Sequence, residues 1–268
     1  MTSEGNPDFY GATLRQLLDE GDLNTDMRIL VVCGGEVDRA VLADHGFRTV
    51  VISNIDPRPQ PEAFAPFEWA YQDAEHLTYP NESFDFCIVH SGLHHCHAPH
   101  RALLEMYRVA RHGLLLFEPY DNMLTRVSVR FNVGQEYEHA AVFYNGCTYG
   151  GVRNSWLPNR IYRWTEPEIS KTIGCYAPHV RPDIRFYYSM RIPWEQLRGR
   201  RNRTLYSAVR LAQPALKLVE RCFPKQSNNF GALVRKPRPP HALHPWLRLD
   251  DAGNVRLDEQ WLSRRYRP

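Results

Sequence analysis

The sequence lacks any long apolar run. No stretch approaches the roughly 18 residues that a membrane-crossing helix needs, although 43% of the 268 residues are hydrophobic. A membrane partner is therefore not expected, and the apolar residues are free to build a globular core. The cysteines, at positions 33, 87, 96, 147, 175 and 222, form no CxxC pair. Two of them fall inside apolar runs, so a disulfide framework is excluded and reduced, structural cysteine is expected. Charge of one sign is also missing. A net charge of +3 gives no argument for nucleic acid as the partner. Internal repeats are absent. The opening residues Met1-Thr2-Ser3-Glu4-Gly5 lack the basic and apolar regions of a signal peptide, so the expected location is cytoplasmic.

What is present is an alternation of apolar strands and amphipathic helices. Residues 8–20 predict a helix with Leu14, Leu17 and Leu18 on one face, stopped by Gly21. Arg28 to Cys33 is almost wholly apolar, as expected of a strand covered on both faces. Gly34-Gly35 follows, then a helix over Val37–His45 ended by Gly46, and a strand over Phe47–Ser53 that ends in Asn54-Ile55-Asp56. Prolines at 57, 59, 61 and 66 exclude a central strand there and suggest a surface connection with a short helix near Glu62. A second unit runs from Tyr71 to Pro119. It holds a strand over Asp85–His90, a helix from Pro99 to about His112 ended by Gly113, and a strand from Leu114 to Pro119. Ligands of such α/β sheets bind in loops at the carboxyl ends of the strands.

After Pro119 the periodicity is lost. Residues 120–182 are rich in Tyr, Trp, Asn and Gly. A helix start is expected at Thr165-Glu166-Pro167-Glu168. A strand is expected over Asp183–Ile192, a helix over Thr204–Cys222 interrupted near Pro214, and a last strand over Asn229–Lys236. The division expected is a domain over 1–237, with 120–182 as an insertion or lid on the substrate side, and a tail over 238–268 that either folds over the body or stays mobile.

These residues resemble the class I S-adenosylmethionine-dependent methyltransferases that act on small molecules. The resemblance covers about 27–119 and the closing strand. It rests on Gln72-Asp73-Ala74-Glu75-His76-Leu77, Ser83-Phe84-Asp85, Leu93-His94-His95, Leu104-Glu105-Met106-Tyr107-Arg108-Val109 and Gly113-Leu114-Leu115-Leu116. It implies a Rossmann-like α/β fold: a seven-stranded doubly wound sheet, its last strand antiparallel, with a substrate-binding insertion after the fifth strand. It also implies cofactor-binding positions. Cys33, Gly34 and Gly35 form the turn near the methionine end, with Cys33 where the family usually has glycine. Asn54 or Asp56 meets the ribose; they lie 19 and 21 residues after Gly35, near the ~20 usual in nucleotide-binding units. Asp73 receives the adenine amino group and Ala74 supplies backbone. His90 and Ser91 wall the sulfonium.

For the chemistry, an oxygen or amine acceptor needs a base within hydrogen-bond reach. His94 and His95 are candidates in the loop after the fourth strand, and His139 is a rival in the insertion. The competing reading makes the first two a helix cap and a pocket wall. His90, His94, His95, Cys96, His97 and His100 cluster in sequence, yet their spacing matches no closed zinc pattern, and no metal is expected. Tyr137, Tyr144 and Trp156 are candidate acceptor contacts, with packing of the insertion as the plainer role. The basic run Arg198-Gly199-Arg200-Arg201-Asn202-Arg203 reads as a solvated loop. The expectation is methyl transfer to a small-molecule acceptor, O-methylation foremost, in specialised or carbohydrate metabolism. The alternatives are a non-catalytic relative acting as a partner protein and, less favoured, an RNA methyltransferase. A homodimer is left open.

Overall fold

The computed structural model describes residues 7–192, 194–199, 203–237 and 242–266. The opening pentapeptide and residues 200–202 of the basic run lie outside them.

Strand β1 (Arg28–Val32) shows why an unbroken apolar run was needed. Leu30 and Val32 face one core layer, Ile29 and Val31 the other. Helix α1 (Pro7–Asp19) buries Tyr10, Leu14 and Leu17 on the second layer, where α2 (Glu36–Asp44) adds Leu42. Strand β2 (Thr49–Asn54) lies parallel to β1. A single 3-10 turn at Pro61–Phe64 marks the proline-rich connection, and an edge strand β3 (Glu68–Tyr71) follows. The sequence reading passed over β3. Its four residues are half-buried or exposed, so they carry no apolar run.

Beyond β4 (Phe84–His90), helix α3 (Pro99–Val109) buries Ala102, Leu103, Met106 and Tyr107 on the first layer. It ends at Val109, and strand β5 (Ala110–Pro119) begins at once. Gly113 was expected to stop the helix. It sits instead within β5, opposite Arg235. A Cβ there would stand 2.4 Å from the Val234 carbonyl oxygen, so glycine is needed for close strand approach.

The aperiodic region holds α4 (Met123–Arg130), α5 (His139–Tyr144) and α6 (Glu166–Tyr176). Thr165 caps α6 and Glu168 closes the capping box, as the sequence indicated. Ile169 and Ile173 of α6 are buried in the first layer. Strand β6 (Asp183–Ser189), helices α7 (Trp194–Gly199) and α8 (Arg203–Cys222), and β7 (Asn229–Arg235) complete the body. Helix α8 runs unbroken through Pro214, which is exposed. The expected interruption does not occur. The sheet order is β3-β2-β1-β4-β5-β7-β6, with β7 antiparallel to both neighbours. The tail is folded over residues 242–266: a hairpin of β8 (Leu247–Leu249) and β9 (Val255–Leu257), then α9 (Glu259–Arg265). Leu243 is buried and bridges Val180. Among the described residues, no helix is long and apolar enough to cross a membrane.

The order turns back between β1 and β4, and this switch point sets the site. A test of the packing is Gly113→Ala, which should lower stability by roughly 2–3 kcal/mol through overpacking. A urea unfolding curve superimposable on that of the unaltered protein would show that the strands can yield.

Candidate active site

At the carboxyl ends of β1 to β4 the loops enclose a cleft of about 430 Å³. Its wall includes Cys33 and Gly35 after β1, Asn54, Asp56 and Arg58 after β2, Gln72 to Glu75 after β3, and His90 to Gly92, His95 and Cys96 after β4. The far wall comes from the insertion: Glu138, Ala141, Asn145, Gly150, Gly151, Arg153 and Asn154.

Two tight conformations shape the near wall. Cys33 has φ +55° and Ser91 has φ +55°, a left-handed geometry that costs a non-glycine residue about 1–2 kcal/mol. The two loops touch. A Cβ on Gly92 would lie 2.4 Å from the Cβ of Cys33. The half-buried Cys96 thiol, hydrogen-bonded to Cys33, is held well above its usual pKa by that bond and by its burial. Gly34 serves the sheet, since a Cβ there would meet Val31 and Ile52 at 2.7 and 2.8 Å, whereas one on Gly35 would meet open space. Gly35 is the glycine that leaves room for a ligand.

Behind this turn, Asp38 is buried and its Oδ2 accepts the Gly35 N–H at 2.9 Å. Burial pushes its carboxyl up to about 7, against that hydrogen bond. Asn54 donates to the Gly34 carbonyl at 2.8 Å and accepts the Asp56 N–H at 3.0 Å. The Asp56 carboxylate holds the Arg58 guanidinium, which stacks 3.8 Å over the Tyr149 ring. Asp73 accepts the Glu75 N–H at 2.9 Å and Arg153 Nη2 at 2.8 Å. Burial raises its pKa, but these two contacts outweigh burial and hold it below the usual carboxylate range. Glu75 accepts the His97 and Ala98 N–H groups at the start of α3. His90, stacked on Tyr10, is kept neutral, its pKa pushed down to about 4 by burial.

At the other end of the cleft lies a largely buried cluster. The buried Glu118 accepts the Gly92 and Leu93 N–H groups at 2.9 and 2.7 Å through Oε1, and Oε2 meets His94 Nδ1 at 2.7 Å. Glu138 Oε2 stands 3.5 Å from His94 Nε2 and 3.4 Å from His95 Nε2. Asn159 donates to Glu138 Oε2 at 2.8 Å and to the His94 carbonyl at 3.0 Å. Burial lowers the pKa of His94, but Glu118 and Glu138 outweigh it and raise it well above the usual value. Burial, then the charge on His94, lower that of His95.

The cleft thus gathers nine sequence candidates: Cys33, Gly35, Asn54, Asp56, Asp73, Ala74, His90, Ser91 and His95. Gly34 and His94 stand behind the wall. His139, Tyr137, Tyr144 and Trp156 are exposed and outside the cleft lining. The neighbouring face of the same segment does the lining instead, through Glu138, Ala141 and Asn145. The sequence reading passed over Glu138, Arg153 and Asn154. A lone acid between aromatics, and Gly150-Gly151 just before Arg153, were the available signals.

A seven-stranded sheet of this order, with its cleft at the switch point, is that of the class I methyltransferases. Residues 30–117 match the family described as "Methyltransferase domain". The match covers about a third of the chain and marks a methyltransferase domain there, with S-adenosylmethionine as the cofactor it indicates. No curated protein sequence matches it. Among solved structures, it is similar to a chain of the complex between the Haloferax volcanii Trm112 methyltransferase activator and a methyltransferase, at 12% identity and TM-score 0.53, over 87% of this chain and 92% of that one. It is also similar to the YcgJ protein of Bacillus subtilis, at 14% identity and TM-score 0.51, over 85% of this chain and 99% of that one. A SAM-dependent methyltransferase from Archaeoglobus fulgidus aligns at 14% identity and TM-score 0.50, covering 87% and 95%. At such identities the likeness speaks for the fold alone.

One prediction concerns Asp38. A carboxyl whose folded pKa is raised contributes stability below its unfolded value and loses it as pH rises through the folded one. The melting temperature should therefore fall between about pH 4 and pH 7, from this group. Asp38→Asn should flatten that fall. A variant with an unaltered pH profile of melting would remove Asp38 as its source.

Proposed function

We propose that the chain methylates a hydroxyl oxygen of a small polar acceptor seated at the His95–Glu138 end of the cleft. The observation that carries this reading is the continuity of one cleft from Asp73 and Asn54 to His95 and Glu138. Asp73 suits the adenine amino group, with Ala74 backbone beside it. Asn54 and Asp56 suit the ribose hydroxyls. Cys33 and Gly35 lie where the methionine end would run, and His90 and Ser91 flank it. The open space at Gly35 fits that placement. When bound, S-adenosylmethionine supplies an electrophilic methyl group on a sulfonium.

The protein's part is alignment, which contributes roughly 7–11 kcal/mol of barrier lowering in well-oriented reactions. His95 and Glu138 face the acceptor's reacting group, and its proton leaves there. The acceptor wall is formed by Glu138, Asn145 and Ala141 rather than by the exposed Tyr137, Tyr144 and Trp156. Asp73 and Glu75 at the cofactor end and Glu138 at the acceptor end give the cleft acidic side chains, which disfavour an RNA backbone. We read the segment 120–164, short of α6, as the lid of a domain that extends to residue 237.

Calorimetry with S-adenosylhomocysteine tests the cofactor half. Asp73→Ala should weaken binding by at least ~10-fold, since hydrogen bonds to charged groups contribute about 1.5–3 kcal/mol. Unchanged affinity would take Asp73 out of the adenine site. No binding to the folded parent protein would favour a non-catalytic partner instead. Methyl incorporation from labelled cofactor into hydroxylated metabolites, set against RNA, tests the acceptor half; incorporation into RNA alone would sink the small-molecule reading.

A further inference from the structure

We propose that His94, His95 and Glu138 form a binding site for one first-row divalent transition-metal ion, zinc or a close analogue, with its open position facing the cleft. The proposal goes beyond the methyl-transfer reading, and its binding test does not depend on turnover.

The three side chains come from two separate segments, the loop after β4 and the start of α5. Their ligand atoms lie within 4.8 Å of one another. The carboxylate oxygen stands 3.5 and 3.4 Å from the two Nε2 atoms. Two ligand atoms held at about 2.0–2.1 Å from a tetrahedral ion are ~3.4 Å apart, so both distances are those of a coordination edge. They are too long for good hydrogen bonds between the same groups. His94 Nε2 is buried, makes no hydrogen bond and faces this space. Its neighbour is Glu138 Oε2 at 3.5 Å, and an ion between them would take the place of the proton that the two carboxylates favour on this ring.

The surroundings fit. Glu118 Oε2 meets His94 Nδ1 at 2.7 Å. That contact fixes the ring and leaves Nε2 for the ion, the carboxylate–histidine arrangement found behind metal ligands. Asn159 holds Glu138 Oε2 at 2.8 Å. Glu118 and Glu138 are both buried, and two carboxylates in a dry pocket set a potential that favours a cation. Two imidazoles and one carboxylate select a zinc-like ion over magnesium, which prefers oxygen ligands and keeps several waters. His95 and Glu138 border the cleft while His94 does not. With the ion bound, the fourth position opens toward the acceptor, whose hydroxyl oxygen the ion would polarise, and this replaces His95 as what makes that oxygen nucleophilic. The sequence spacing matched no zinc pattern because the third ligand sits in the insertion, far from the paired histidines.

The experiment is a cobalt(II) titration of the chelator-treated full-length protein, followed by visible absorption, with zinc(II) competition and metal analysis after dialysis. The expected result is about one equivalent bound, with the d–d bands of a low-coordinate site, displaced by zinc. Glu138→Gln and His95→Ala should lower affinity at least ~10-fold, and the exposed His139→Ala should not. Each variant is first checked by circular dichroism and for S-adenosylhomocysteine binding. If His95→Ala fails to fold, Glu138→Gln alone decides. Absence of cobalt bands in the folded parent protein overturns the site, as does binding undiminished in Glu138→Gln. Stoichiometric cobalt without methyl transfer would sink the function proposed above and leave the site standing.

Discussion

Much of the cleft hangs on one buried carboxylate. Glu118, at the end of β5, binds two successive backbone N–H groups of the loop after β4 and one ring nitrogen of His94. Each such bond to a charged acceptor contributes roughly 1.5–3 kcal/mol. Together they hold the chain through the left-handed turn at Ser91 and bring Gly92 against Cys33. The same contact orients His94 toward Glu138. A single side chain thereby ties the sheet's central strands to both ends of the cleft. Glu118 is also a buried acid, so the arrangement depends on its three hydrogen-bond partners.

The lid is fastened by polar contacts of a different kind. Tyr149 stacks on Arg58, and Arg153 pairs with Asp73 and Glu75. Arg58, Arg153 and Asp73 are partly exposed, where an ion pair contributes little, typically under about 1 kcal/mol. The cluster at Glu138 and Asn159 is buried. One end of the insertion is thus anchored and the other lightly held, which suits an element that must admit ligands.

How far the sequence could be read follows from this physics. Strands β1, β2, β4, β5 and β7 are legible because each is buried on both faces over most of its length and so carries an apolar run. β3 is at an edge and β8 and β9 form a small hairpin, so none has that signature. The Asp73-Ala74-Glu75 segment stood out through its resemblance to the family's motif, and the bond from the Glu75 N–H to Asp73 is local. The site's other wall is assembled over long separations. Glu138 meets His94 and His95, and Arg153 meets Asp73, 80 residues away. Helix α5 is short, and its two faces read alike. The aromatic residues drew attention to the exposed face, while the lining falls to Glu138, Ala141 and Asn145. Gly113 shows the same limit: a glycine after a helix looks like a stop, and only the crossing strand reveals that it is a spacer.

The bond between Arg153 and Asp73 has a consequence for binding order. On the proposed placement of the adenine amino group at Asp73, the guanidinium of Arg153 sits on a carboxylate oxygen that the nucleotide would use. The protein then carries an internal competitor. Its cofactor affinity is the intrinsic one multiplied by the fraction of molecules in which Arg153 has let go. The linkage is reciprocal, so cofactor arrival frees the loop around Gly150 and Gly151 by the same factor. The acceptor would meet a gate whose latch the cofactor has already lifted.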